Sequence, residues 1–300
     1  MYRLIHRTHY RYSYPVDVAN HMACLRPREL PRQHVLEFDL SITPEPAMFI
    51  ERKDYFGNTL QIFSIQSPHS EFLVRSRALV EVLPPQLDKN AGMIPWESVR
   101  DNLPEDHSPA GLDAYQFSFE SQRIPLRPAF ADYALQFFTP SRPLREALLE
   151  LTTRVHNDFK FKGGATSVST TVDEVFSKRV GVCQDFAHLQ IACLRSLGLA
   201  ARYVSGYLRT IPPPGQERVI GADASHAWLS VYCPVPGGSA PIWLDVDPTN
   251  NCEPRDVHIT LSWGRDYSDV SPLRGLILGG GKHTLKVGVD VEPLEEPTLA

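Results

Sequence analysis

Over the first eighty-odd residues the apolar and polar positions alternate with a period of two. In YRLIHRTHYRYSYP the aromatic positions Tyr10, Tyr12 and Tyr14 are interleaved with Arg11 and Ser13. HVLEFDLSITPEP repeats the pattern through Leu36, Phe38, Leu40 and Ile42 and closes on Pro44 and Pro46. DYFGNTLQIFSIQ has a Gly57-Asn58 turn ahead of Leu60, Ile62 and Phe63, and FLVRSRALVEVLPP stops at two prolines. Short alternating runs bounded by turn residues predict an antiparallel, sandwich-like module over residues 1–85.

The period changes downstream. Residues 86–140 are polar and punctuated by proline, which predicts a linker carrying short helices. From SRPLREALLELTTRVHNDF onward the spacing becomes helical: Leu144, Ala147, Leu148, Leu151 and Val155 form one stripe, with Ser141 as N-cap and Pro143 in the first turn. TVDEVFSKR predicts a short helical turn, and CQDFAHLQIACLRSLG a helix that starts at Cys183 and stops at Gly198. Three strands follow, ARYVSGYLR, HAWLSVYCP and PIWLDVDP, the last two joined by the loop PVPGGSAP. HTLKVGVDVEP is a final strand; the Gly279-Gly280-Gly281 run before it lacks the lysine and following helix of a phosphate loop. The fold class is therefore α+β, with a core over 141–262 and a C-terminal strand segment over 263–300.

Composition narrows the function classes. The 300 residues carry 30 basic and 35 acidic side chains, a formal charge of −5, which gives no reason to expect a nucleic-acid or anionic-membrane partner. The start MYRLIHRTHYRYSYP has no apolar signal core, and no run approaches a membrane span. Five cysteines, Cys24, Cys183, Cys193, Cys233 and Cys252, show no CxxC pair. Free thiols and the absence of a targeting segment point to a reducing, cytoplasmic setting.

One of those thiols is placed for chemistry. In GVCQDFAHL, Cys183 opens a helix, where unpaired backbone N–H groups and the positive dipole end favour thiolate. Gly181 permits a tight turn and leaves space above the sulfur. A lone cysteine in an apolar helix is ordinarily core, as Cys193 is here, so partners must decide. His188 is not one: five residues along a helix is about 140° from Cys183. His226, at the mouth of the strand ASHAWLSVY, is the alternative. Pairing Val231 with Ile242 in the hairpin sets His226 opposite Asp247, close enough for the carboxylate to bind the imidazole. Asp245 replaces it only if the register slips by two. Asp247-Pro248-Thr249 taken alone also suits a turn cap.

GVCQDFAHL, SHAWLSVY and WLDVDPTN, in that order, resemble the transglutaminase-like superfamily, and in particular its bacterial members with an N-terminal β domain, often described as cysteine proteases. The GYLR strand, GRDYSDVSPLRG and the DYFGN turn extend that resemblance over nearly the whole chain. It implies a papain-like core of helix against antiparallel sheet, with Cys183 as nucleophile, His226 as base and Asp247 as orienting acid. The implied reaction is acyl transfer on amide or peptide bonds of a peptide or protein substrate, by hydrolysis (a protease or amidase), with no metal or cofactor. Protein-glutamine transglutamination to an amine, a silent peptide-binding module, and a zinc site of Cys183, His226 and Asp247 are the alternatives. Gln184, Asp185, Trp228 and Trp243 are weaker candidates for contacting substrate, as are Asp223 and Ser225.

Overall fold

The computed structural model describes residues 1–85, 90–210, 224–235 and 242–294. In chain order the elements are β1 (Tyr2–Ala23), β2 (Gln33–Thr43), β3 (Met48–Lys53), β4 (Thr59–Ile65), β5 (His69–Val82), α1 (Trp96–Asn102), α2 (Pro109–Tyr115), α3 (Pro128–Leu135), α4 (Leu144–Asp158), β6 (Lys160–Phe161), α5 (Val172–Lys178), β7 (Val180–Gly181), α6 (Cys183–Ser196), β8 (Ala201–Leu208), β9 (Ala224–Cys233), β10 (Ile242–Val246), β11 (His258–Gly264), α7 (Tyr267–Val270), β12 (Leu273–Gly279) and β13 (His283–Pro293).

The strand-rich N-terminal region is one seven-stranded antiparallel sheet, and its organiser is β1. Residues 2–11 of β1 pair with β5 and residues 2–12 with β13, while residues 19–23 pair with β4 and the stretch 16–23 with β12. The C-terminal segment is thus built into the first strand's sheet. Val16, Phe63, Phe72 and Val74 form one small core of this region. Tyr2, Leu4, Val80 and Val291 pack instead against Tyr207, Ile259 and Leu261, which seats the sheet on the second one.

The second sheet is four-stranded and antiparallel, ordered β10-β9-β8-β11. Ala227, Leu229 and Val231 of β9 share a core with Leu189, Ile191, Ala192 and Leu194 of α6. Each such valine, leucine or isoleucine stabilises the fold by about 1.5–3 kcal/mol of burial. That helix is buried from Asp185 through Arg195, so its polar residues need internal partners. Arg195 donates to the carbonyls of Ala201, Phe119 and Arg265, and Gln190 to the Thr152 hydroxyl at 2.7 Å. The 90–140 segment contributes Trp96, Phe117, Phe130 and Phe138 to the same core.

Ser141 is not the cap of α4. It sits at φ +62 with its N–H on Glu97, and Pro143 holds the cap position. The first free N–H groups of α4 instead donate to the carbonyls of Ile94 and Gly92 at 2.9 Å each, a tertiary solution invisible to local pattern. Gly198 does end the α6 turn, at φ +83. Among the described residues, no helix is long and apolar enough to cross a membrane.

Candidate active site

Cys183 is the first residue of α6, and the two segments before it fix its position. β6 and β7 form a short parallel ladder, extended by a bond from Lys162 N–H to the Gly181 carbonyl at 3.0 Å. Arg179 closes α5 in the left-handed conformation, φ +55, with its guanidinium 4.5 Å from the Phe159 ring and 4.6 Å from that of Phe176. Asp185 folds back over the turn, accepting from the Val182 N–H at 2.8 Å and the Thr166 hydroxyl at 2.6 Å. Gly181 is needed for that fold-back: a Cβ there would meet the Asp185 side chain at 2.8 Å. The glycine therefore makes room for the helix cap rather than for space above the sulfur.

His226 enters from β9. Its Nε2 lies 2.7 Å from Asp247 Oδ2, and Cys183 is close enough to the same ring to raise its pKa. Because Nε2 is committed to the carboxylate, the nitrogen facing sulfur is Nδ1. Burial alone would lower the imidazole pKa; the hydrogen bonds and charges of Asp247 and Cys183 overcome it and push it up to about 10.

Asp247 arrives by a different route from the one the hairpin count predicts. The ladder pairs Ile242 with Cys233 and Leu244 with Val231, two residues off the expected register. The slip runs the other way from the one that would bring in Asp245, which pairs with Ser230 and is held by the Ser230 hydroxyl and Arg32. Asp247 follows the end of β10 and reaches His226 diagonally, from a tight turn whose ends pair Asp247 with Cys252. Its two oxygens divide the work. Oδ1 accepts the Thr249 and Asn250 N–H groups at 2.9 and 3.2 Å, the turn-cap role. Oδ2 accepts from His226, from His258 Nε2 at 3.1 Å and from Asn250 Nδ2 at 2.6 Å. Burial would raise this carboxyl's pKa, but these donors hold it well below the ordinary range.

His258 and Asn250 escaped the sequence reading. Asn250 follows Asp247 by three residues, a spacing that an Asx-turn explains equally well. His258 comes from β11, at the far edge of the sheet, and no linear signal joins it to His226. Its Nδ1 accepts the Arg255 N–H at 3.4 Å, leaving Nε2 to donate to Asp247. Trp228 packs against both rings, 6.1 Å from His226 and 5.4 Å from His258.

Comparisons with known proteins bear on the family and the fold. Residues 2–81 match the family "Bacterial transglutaminase-like N-terminal region" and residues 131–248 the "Transglutaminase-like superfamily". Uncharacterized proteins of Mycobacterium tuberculosis and Mycobacterium bovis are 42% identical over 99% of this chain and 94% of their own length. The chain belongs to the transglutaminase-like superfamily. The crystal structure of a candidate cysteine protease from Cytophaga hutchinsonii has the same fold: TM-score 0.76 over 99% of this chain and 91% of that one, at 21% identity.

In this transglutaminase-like protein Cys183 and His226 open on a cleft of about 260 Å³ whose far walls come from the N-terminal sheet. β1 supplies His6, Thr8 and Tyr10, and β13 supplies Leu285 and Val287. Gln184 and Ser225 line it as well. Asp185 does not; it is 3% exposed and occupied as the helix cap. Trp228 is fully buried behind His226, and Trp243 lines a separate cavity. Asp223 lies outside the described residues, as does most of the PVPGGSAP loop. His188 packs tilted against Tyr203 and accepts the Tyr267 N–H at 3.1 Å; burial pushes its pKa down to about 3, a structural role.

His226, Asp247 and His258 also form a group of possible metal donors within 4.8 Å of one another. Both imidazoles and Asn250 already converge on one carboxylate oxygen, so an ion held by all three would displace that hydrogen-bonded set.

Trp228 is held by an absence. A side chain at Gly206 would collide with the Trp228 ring and with the Ile259 carbonyl. Gly206→Ala is expected to cost about 1–3 kcal/mol by overpacking. Urea denaturation, followed by a shift of the midpoint at constant slope, checks this.

Proposed function

We propose that the protein is a cysteine-dependent acyl-transfer enzyme that hydrolyses amide or peptide bonds through Cys183, His226 and Asp247. The observation that carries the reading is the convergence of the three side chains: the imidazole is bonded to the buried carboxylate, and the same ring lines a cleft together with the Cys183 sulfur. His226 Nδ1 takes the thiol proton as the sulfur attacks. The sulfur adds to the carbonyl carbon. The Cys183 and Gln184 N–H groups, without intrahelical acceptors at the start of α6, can receive the oxyanion. Collapse breaks the C–N bond as His226 Nδ1 gives its proton to the leaving amine. Water then adds to the thioester with Nδ1 taking its proton, and the acid product leaves. Asp247 keeps the ring oriented throughout.

Water is favoured over an amine as the acceptor because, among the described residues, no Asp or Glu lines the cleft to hold an incoming ammonium. Tyr10, Leu273, Leu285 and Val287 offer an apolar wall to the substrate segment. Incubation with a glutamine-bearing peptide library and a labelled primary amine tests the reading by mass spectrometry. The expected products are carboxylic acids, from side-chain deamidation or backbone cleavage, with little label incorporated. Amine adducts as the main product would make it a transferase instead.

A further inference from the structure

A second cavity, of about 740 Å³, is walled by β8, β10, β11, Leu83, Pro84, Pro85 and Ala91, and shares no lining residue with the cleft. Arg202 opens into it while only 7% exposed. Its guanidinium lies between two indoles, 4.1 Å from Trp243 and 3.7 Å from Trp263. Among the described residues no hydrogen bond or ion pair reaches it, and its Nε is buried without a partner. The neighbouring cations are committed. Arg32 pairs with Asp245 at 3.3 Å, and Arg145 grips both oxygens of Glu253 at 2.8 and 3.0 Å. A buried guanidinium that makes no hydrogen bond is costly, and two cation–π contacts offset only part of that.

We infer that this cavity is a second ligand site, built to take one organic carboxylate with an apolar body. A carboxylate matches the guanidinium fork with two parallel N–H···O bonds. Leu30, Leu83, Ile242 and Leu244 supply the apolar wall, and the volume falls in the range of small-molecule sites. The charge of the ligand is limited to one. With Asp245 and Glu253 balanced by Arg32 and Arg145, a phosphate dianion would meet the Arg202 guanidinium and the Asp113 carboxylate, leaving its second charge without a partner.

Calorimetric titration of the full chain with octanoate tests the site, with octanamide as the uncharged isostere and inorganic phosphate as the anion control. Octanoate is expected to bind saturably and to change the tryptophan fluorescence, because Trp243 and Trp263 flank the guanidinium. Arg202→Gln should weaken it at least tenfold, and Leu83→Trp, which fills the cavity and spares Arg202, should do the same in case the first variant fails to fold. Octanamide and phosphate should not saturate. No saturable octanoate binding, binding unchanged in Leu83→Trp, or octanamide or phosphate binding as tightly as octanoate would overturn the inference.

Discussion

Asp247→Asn is expected to reduce turnover on the order of 10³–10⁴-fold, because an amide no longer fixes the tautomer of His226 or balances its cation. The same change should destabilise the fold by about 3–5 kcal/mol, the usual cost of leaving a buried charge without its partner. Both effects follow from Oδ2, which accepts from His226, His258 and Asn250 together. The stability gap between wild type and variant should depend on pH. The His226 pKa rises on folding from 6.5 to about 10, so its contribution is complete below 6.5 and fades as pH climbs through 10. The Asp247 pKa falls on folding, so its contribution is complete above the ordinary carboxylate range and is lost on strong acidification. The gap is therefore widest between about pH 5 and 6.5. Urea melts of both proteins across pH 3–10 measure it, and a pH-independent gap would dissociate the carboxylate from the imidazolium.

Cys183→Ala should remove activity on the order of 10⁶-fold, since no other group on the cleft can form the thioester. The loss should come with little change in melting temperature, because this sulfur borders solvent rather than filling the core. Alkylation gives an independent readout. Cys24 and Cys193 are sealed in the interior, and burial pushes the thiol pKa of Cys24 and of Cys252 up to about 11 and that of Cys193 higher still. Iodoacetamide at pH 7 should accordingly modify Cys183 at least tenfold faster than the other four, by peptide mapping. His226→Ala should abolish that advantage. Uniformly slow labelling of the wild type would mean a silent thiol and a binding module.

What could be read in advance was whatever local period encodes. The helix beginning at Cys183, its stop at Gly198 and the three strands after it all follow from spacing and punctuation, and the structure has them. His226 and Asp247 were legible as partners because a hairpin brings nearby positions together. Their register was not, since the count along the hairpin does not fix which residues face each other, and the observed ladder is two residues off. The pairing survives the slip because an aspartate on a turn reaches diagonally. Ser141 as a cap misled because the N–H groups of α4 find carbonyls some fifty residues upstream. His258 and the free guanidinium of Arg202 were invisible for one reason: each depends on which strands become neighbours, a property of topology rather than of spacing.

The wiring of β1 sets an order of assembly. One of its flanking partners, β5, leaves the ribosome early, but the other, β13, arrives last; Arg3 and Glu292, bridged across that seam, lie 289 positions apart. Contacts so distant in the chain form slowly. During synthesis the sulfur-bearing helix can fold against its sheet while the opposite bank of the cleft, Leu285 and Val287, is still unmade. A chain lacking β13 would thus keep the β1 side of the cleft but not the apolar wall that Leu285 and Val287 supply.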